Sequence, residues 1–142
     1  MRNAQVFKKR YILLIIFLGV LGCGIYKFIQ FSPLEQTVIE KISVNDLINL
    51  YITENSAGAT TDFSYRFYLF DSAKSDAEFI DKINDDYLPF LITSDRYAFQ
   101  KIERNSIYLS IKGHIFEFHN FPSCRVNNSL LFVPVYLTST PF

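Results

Sequence analysis

Sixteen consecutive residues without a charge, Tyr11 to Tyr26, read YILLIIFLGVLGCGIY. A helix apolar around its whole circumference has no polar face to turn to water, so lipid or protein core must cover it. At about 1.5 Å per residue the run rises roughly 24 Å, and extending it through Lys27-Phe28-Ile29-Gln30-Phe31 brings it to about 31 Å, enough to cross a bilayer. Lys27 can lift its ammonium to the headgroups while its methylenes stay in hydrocarbon, and Tyr11 and Tyr26 suit the two interfaces. The sequence therefore predicts a transmembrane anchor or signal segment over 11–31, preceded by a basic tail over 1–10 and followed by a folded domain over 32–142.

The charges support that division. Residues 1–27 carry Arg2, Lys8, Lys9, Arg10 and Lys27 with no acid, whereas residues 28–142 carry nine bases and fourteen acids, a net of −5. Lys8, Lys9 and Arg10 directly precede the apolar run, so the tail is expected in the cytoplasm and the domain on the far side of the membrane. Three fates are open to the leader. It can remain as an uncleaved anchor, the first choice; it can be cut at Gly22-Cys23-Gly24, whose small residues suit a signal peptidase; or Val20-Leu21-Gly22-Cys23 can serve as a lipobox-like acceptor with Cys23 lipidated. The remaining cysteine, Cys124, then has no intramolecular disulfide partner, and Phe121, Pro122 and Val126 nearby favour its burial.

The 142 residues are 49% hydrophobic and include 15 Phe and 9 Tyr, a composition that excludes a disordered tail and a disulfide scaffold. The overall neutrality offers no basic stripe for nucleic acid. Two alternating runs, Leu47 to Thr53 and Asp62 to Phe70, read as strands joined by the small residues around Gly58 into a hairpin. Ser106 to Ile111 and His114 to His119 read as a second pair turning at Lys112-Gly113. Leu130 to Leu137 reads as a closing strand that Pro134 confines to an edge or bulge. The segment from Pro33 to Ser43 is open between helix and strand. Ser75 with Glu78 three residues on forms a capping box, and Phe79, Ile80 and Ile83 recur at helical spacing, which predicts a short helix over 75–84. The expected fold is α+β: an N-terminal transmembrane or signal helix, then a small, mostly antiparallel sheet domain with one short helix.

Catalytic motifs are missing from the reading. His114, Glu117 and His119 invite a zinc site, but strand alternation sends His114 to the face opposite the other two and no third ligand is nearby. Nothing frames Cys124 as a nucleophile for His119, and there is no phosphate loop or dinucleotide fingerprint. The adjacent pair Asp85-Asp86 suits a solvated turn better than an acid/base pair. The chain is therefore expected to be no enzyme and to need no cofactor.

Two features have a functional reading beside a plain one. The acidic run Asp71, Asp76, Glu78, Asp81, Asp85 and Asp86, relieved only by Lys74 and Lys82, is either a solvated helix face or a docking surface for a basic partner. The loop containing Gly58, Thr60 and Thr61 is either hairpin chemistry or a small hydroxylated tip able to enter a cleft.

The stretch Gly58-Ala59-Thr60-Thr61-Asp62-Phe63-Ser64, after a strand and a short leader, is similar to a group of small envelope-anchored bacterial proteins. The chain from Met1-Arg2-Asn3-Ala4-Gln5-Val6-Phe7-Lys8-Lys9-Arg10 through Thr138-Ser139-Thr140-Pro141-Phe142 resembles the bacteriocin immunity proteins. That resemblance implies a periplasmic inhibitor, held at the inner membrane by its leader, that neutralises a muramidase-like, peptidoglycan-hydrolysing toxin. Such a toxin grips an acidic polymer and is expected to present a basic rim, which the net −5 of the exported part complements. The alternative is a membrane-anchored accessory or structural subunit of an envelope complex.

Overall fold

The uncharged run folds within α1, Asn3–Gln30, in the computed structural model, which describes residues 3–30, 35–56, 63–85 and 87–140. Its large apolar side chains between Tyr11 and Tyr26 are all exposed. Among the described residues no helix is long and apolar enough to cross a membrane. The anchor expected over 11–31 includes Phe31, which lies outside the described residues. By contacts the chain divides into two units, Met1–Pro33 and Leu34–Phe142.

The second unit is mainly strand. The segment after Pro33 resolves as β1 (Glu35–Ser43), which pairs antiparallel with β2 (Ile48–Ser56). Asn45 makes their turn, its side-chain oxygen accepting from the backbone N–H of Leu47 and of Ile48 at 2.9 Å each. β3 (Ser64–Asp71) pairs antiparallel with β2, with Asn55 opposite Ser64, so the expected hairpin forms. Next comes α2 (Asp76–Asn84), capped by Ser75 as its capping box foretells. β4 (Leu91–Thr93) adds to β3, and β7 (Ile115–Phe118) adds to β4, completing a five-stranded antiparallel sheet in the order β1-β2-β3-β4-β7.

Two smaller sheets face it. β5 (Phe99–Glu103), β6 (Ser106–Ile111) and β10 (Val135–Ser139) form one, with β10 parallel to β6. β8 (Ser123–Val126) and β9 (Ser129–Phe132) form the other. Both hairpins turn on two residues with positive φ: Arg104 (50°) and Asn105 (60°) join β5 to β6, and Asn127 (47°) and Asn128 (65°) join β8 to β9. Asparagine tolerates that conformation because its short side chain can bond the local backbone.

Two strand expectations are corrected. β6 and β7 are not a hairpin, because Lys112-Gly113 carries the chain from one sheet to another. There Gly113 lies so close to Ser94 that a Cβ would sit 2.5 Å from its hydroxyl, while that hydroxyl accepts from the His114 N–H at 2.8 Å. The closing strand Leu130 to Leu137 is two strands, broken at Val133-Pro134. Proline has no N–H to give a ladder, but its carbonyl accepts from Ile107 at 2.9 Å.

The main core lies between the large sheet and the two small ones. It takes Leu50 and Ile52 from β2, Phe67 from β3, Ile107, Leu109 and Ile111 from β6, and Cys124 and Val126 from β8. The central strands are buried on their other face as well, where Tyr51, Tyr68 and Phe70 meet Phe79 of α2. Phe79 stacks on Tyr51 with ring centroids 4.0 Å apart and meets Phe70 and Tyr68 edge-on at 5.3 and 5.5 Å. Ile80, one residue on, remains 40% exposed, so the buried stripe is narrower than the sequence spacing suggests.

Truncating Phe79 removes the one α2 side chain buried completely against the outer face. Phe79→Ala is expected to lower unfolding stability by about 4 kcal/mol, and Ile80→Ala by less than about 1 kcal/mol. Urea denaturation followed by circular dichroism measures both, and equal losses would refute the assignment of Phe79 as the anchor.

Candidate functional site

One edge of the domain brings together α2, the turn that precedes it and the β8–β9 hairpin. Asp76, in the first turn of α2, accepts from Lys41 Nζ and from the Tyr51 hydroxyl, each at 2.6 Å. Lys41 and Tyr51 stand opposite each other on β1 and β2, and the ammonium lies 5.2 Å from the Tyr51 ring centre. The Lys41 hydrogen bond, helped by that of Tyr51, holds the Asp76 carboxyl below the usual carboxylate range. Burial, and then the bond to Asp76, pushes the Tyr51 hydroxyl up.

Glu78 is committed in another way. Its carboxylate accepts from the Ser75 N–H at 2.9 Å while the Ser75 hydroxyl accepts from the Glu78 N–H at 3.3 Å. The Ser75 N–H foremost, and then the Ser75 hydroxyl, which donates to the same carboxylate at 3.1 Å, hold the Glu78 carboxyl low. Asp71 is buried and accepts from the Ala73 N–H at 2.9 Å. Of the expected acidic surface, Asp76, Glu78 and Asp81 on α2 and Asp85 at its C-cap are all exposed, and Asp81 and Asp85 have no ion-pair partner among the described residues. Asp86, Gly58, Thr60 and Thr61 lie outside the described residues. Cys23 lies exposed on α1.

Beside α2 opens a cleft of about 560 Å³, which the sequence reading did not anticipate. Its floor is Phe70, Tyr87 and Cys124. Lys74 precedes α2, Lys82 lies in its last turn, and Arg125, Asn127 and Asn128 come from the β8–β9 hairpin. The Lys82 carbonyl accepts from the N–H of Asp85 and of Tyr87, at 3.0 and 3.2 Å, so the end of α2 delivers Tyr87 to the cleft. The Tyr87 hydroxyl donates to the Leu69 carbonyl. A second cleft, of about 280 Å³, lies on Tyr87 too and is lined by Leu88, Phe121 and His119. The contributing segments are some 40 residues apart along the chain, so no local motif announced the site.

Cys124 is 2% exposed, as its apolar neighbours foretold, and burial pushes its thiol up to about 11, with the Asp71 charge adding to the effect. Burial likewise raises the Tyr87 hydroxyl. His119 and Glu117 lie 2.8 Å apart on one face, as alternation requires. His119 lines the smaller cleft while Cys124 lines the larger one, and among the described residues no group of three metal-ligating side chains assembles.

No family model, curated protein or solved structure matches this chain.

Two titrations test the site. Asp76 and Glu78 are held below ordinary values of 3.8 and 4.5, so their contribution to stability is full above those values and drains as pH falls through the lowered ones. Thermal unfolding should therefore soften below about pH 4, and Asp76→Asn should blunt that acid dependence. At the other end, the Cys124 thiol ionises near 9.0 when unfolded and near 11 when folded, so stability should fall as pH rises across that window. In a Cys23→Ser chain, iodoacetamide should modify Cys124 far more slowly in the native protein than in urea; equal rates would refute a buried thiol.

Proposed function

We propose that this chain is a bacteriocin immunity protein that neutralises a muramidase-like toxin outside the cytoplasm. The observation that carries the reading is the acidic face of α2, braced rigidly on a doubly covered sheet and displaying Asp81 and Asp85 to solvent. It belongs to a part of the chain with net charge −5, a field that speeds encounter with a basic rim and disfavours wrong partners. Asp86, Gly58, Thr60 and Thr61, which lie outside the described residues, belong to the proposed contact set. Asp76 and Glu78 serve it indirectly, since one ties α2 to β1 and β2 and the other starts the helix.

Inhibition needs no catalysis. Hydrolysis of a glycan requires a carboxylic acid to protonate the leaving oxygen inside a substrate cleft, and a rigid acidic surface covering that cleft excludes the polymer. The leader completes the arrangement. In this reading the apolar run of α1 seats in the inner membrane. The basic residues Lys8, Lys9 and Arg10 keep the tail cytoplasmic. Anchoring confines the inhibitor to the layer a toxin must traverse, which raises its effective concentration.

A second reading, an accessory subunit of an envelope complex, is favoured by apolar side chains exposed on the edge strand β7 and on β9, namely Phe116, Leu130 and Phe132. A pull-down from cells never exposed to toxin distinguishes the two, because only the second reading requires a resident partner.

Expression of the chain in a toxin-sensitive cell should confer survival on challenge with a wall-hydrolysing bacteriocin, and the protein should stay with the membranes on alkaline extraction. The double variant Asp81→Lys/Asp85→Lys should slow association about tenfold at low salt and weaken its salt dependence. Unchanged killing sinks the immunity reading, and an unaltered association rate sinks the assignment of the acidic face.

A further inference from the structure

The cleft beside α2 has a charge opposite to that of its surroundings. Lys74, Lys82 and Arg125 converge on it against one carboxylate, Asp71, in a part of the chain where acids outnumber bases fourteen to nine. Asp71 is already engaged by the Ala73 N–H. Among the described residues, the ion pairs join other groups: Lys41 with Asp76, Arg96 with Glu54, Lys101 with Glu103 and His119 with Glu117. Among the described residues none of the three cleft cations forms an ion pair with a carboxylate, although Lys74 lies close enough to Glu78 to help hold its carboxyl low. One carboxylate against three cations leaves the cleft net positive, so an anion that enters it relieves the remaining repulsion as well as pairing with the cations.

The rest of the lining limits what the anion can be. Asn127 and Asn128, held in a tight turn by their positive φ, offer amide donors beside Arg125. A guanidinium next to amides matches the forked oxygens of a phosphate or carboxylate. The floor is apolar and aromatic: Phe70 and Tyr87 stand at 6.1 Å in edge-to-face contact, and Cys124 is a neutral thiol at physiological pH. Lys74 Nζ lies 5.9 Å from the Phe70 ring centre, at the boundary between the charged rim and that floor. The volume of about 560 Å³ falls among sites for small organic molecules.

We infer that this cleft binds a small organic oxyanion: a phosphate group, held by Lys74, Lys82 and Arg125, on an apolar body that lies over Phe70 and Tyr87. The same chemistry is offered by a soluble aromatic phosphate and by the headgroup of an anionic phospholipid. The inference goes beyond the toxin-binding reading and does not depend on it, because it uses a different set of side chains of opposite charge.

The test is a titration of the full chain, in neutral detergent, followed by the amide resonances of Asn127 and Asn128. The probes are phenyl phosphate and short-chain dihexanoyl phosphatidylglycerol. At least one should produce saturable shifts that weaken as salt is raised, and whichever binds more tightly identifies the source of the phosphate. Lys82→Ala with Arg125→Ala should weaken that binding by tenfold or more, Lys82→Arg should retain it, and Lys101→Ala, on β5 away from the cleft, should leave it unchanged. An unchanged circular dichroism spectrum keeps the double variant interpretable. Non-saturable shifts with both probes, or full binding by the folded double variant, would overturn the inference. Toxin protection that survives in that variant leaves the immunity reading standing, so the two proposals fail separately.

Discussion

The docking of Phe79 onto the outer face of β2 and β3 is the contact on which the rest of the domain depends. Without it, Tyr51, Tyr68 and Phe70 would present an aromatic face to water, since only their strands' opposite side is covered by the main core. With it, the two central strands are buried on both faces and α2 gains a fixed position. That position carries Lys82 and Tyr87 into the cleft and leaves Asp81 and Asp85 in solvent. One hydrophobic contact thus places both surfaces discussed above.

Polar contacts then fix the orientation that the ring contacts leave open. Apolar burial is non-directional, so a helix held by a single aromatic side chain could rotate about it. Asp76 prevents this by accepting from two neighbouring strands at once, and the Lys82 carbonyl arrests the other end of the helix. The acidic run is accordingly heterogeneous. Asp71, Asp76 and Glu78 act on the protein's own backbone and side chains, and the part left to face a partner is smaller than the count of carboxylates implies. The neighbouring cleft of opposite sign sharpens the contrast, because among the described residues its cations form no ion pair with Asp81 or Asp85.

Much of the domain was legible because its signals are local. Alternation marked β2, β3 and β6, and the capping box marked α2, since these patterns arise from residues a few positions apart. The hairpin turns at Arg104-Asn105 and Asn127-Asn128 had a weaker signal, an asparagine in the second turn position, and both were missed. The pairing of β6 with β5 and β10 was beyond reach of alternation, which says which face a residue takes and not which strand lies alongside. The cleft was missed for the same reason: Lys74, Lys82 and Arg125 are unremarkable singly, and only the packing of β8–β9 beside α2 makes them a group.

By itself the sequence determined the division of charge between the first 27 residues and the rest, the helical apolar run, the faces of the central strands and the capped start of α2, because each follows from composition, backbone periodicity or neighbouring side chains. Tertiary structure decided the strand order, the parallel seat of β10, the double burial of β2 and β3, and the convergence of three cations beside an acidic helix. Those depend on which distant segments exclude water from one another, a property of the packed chain that no stretch of neighbouring residues encodes.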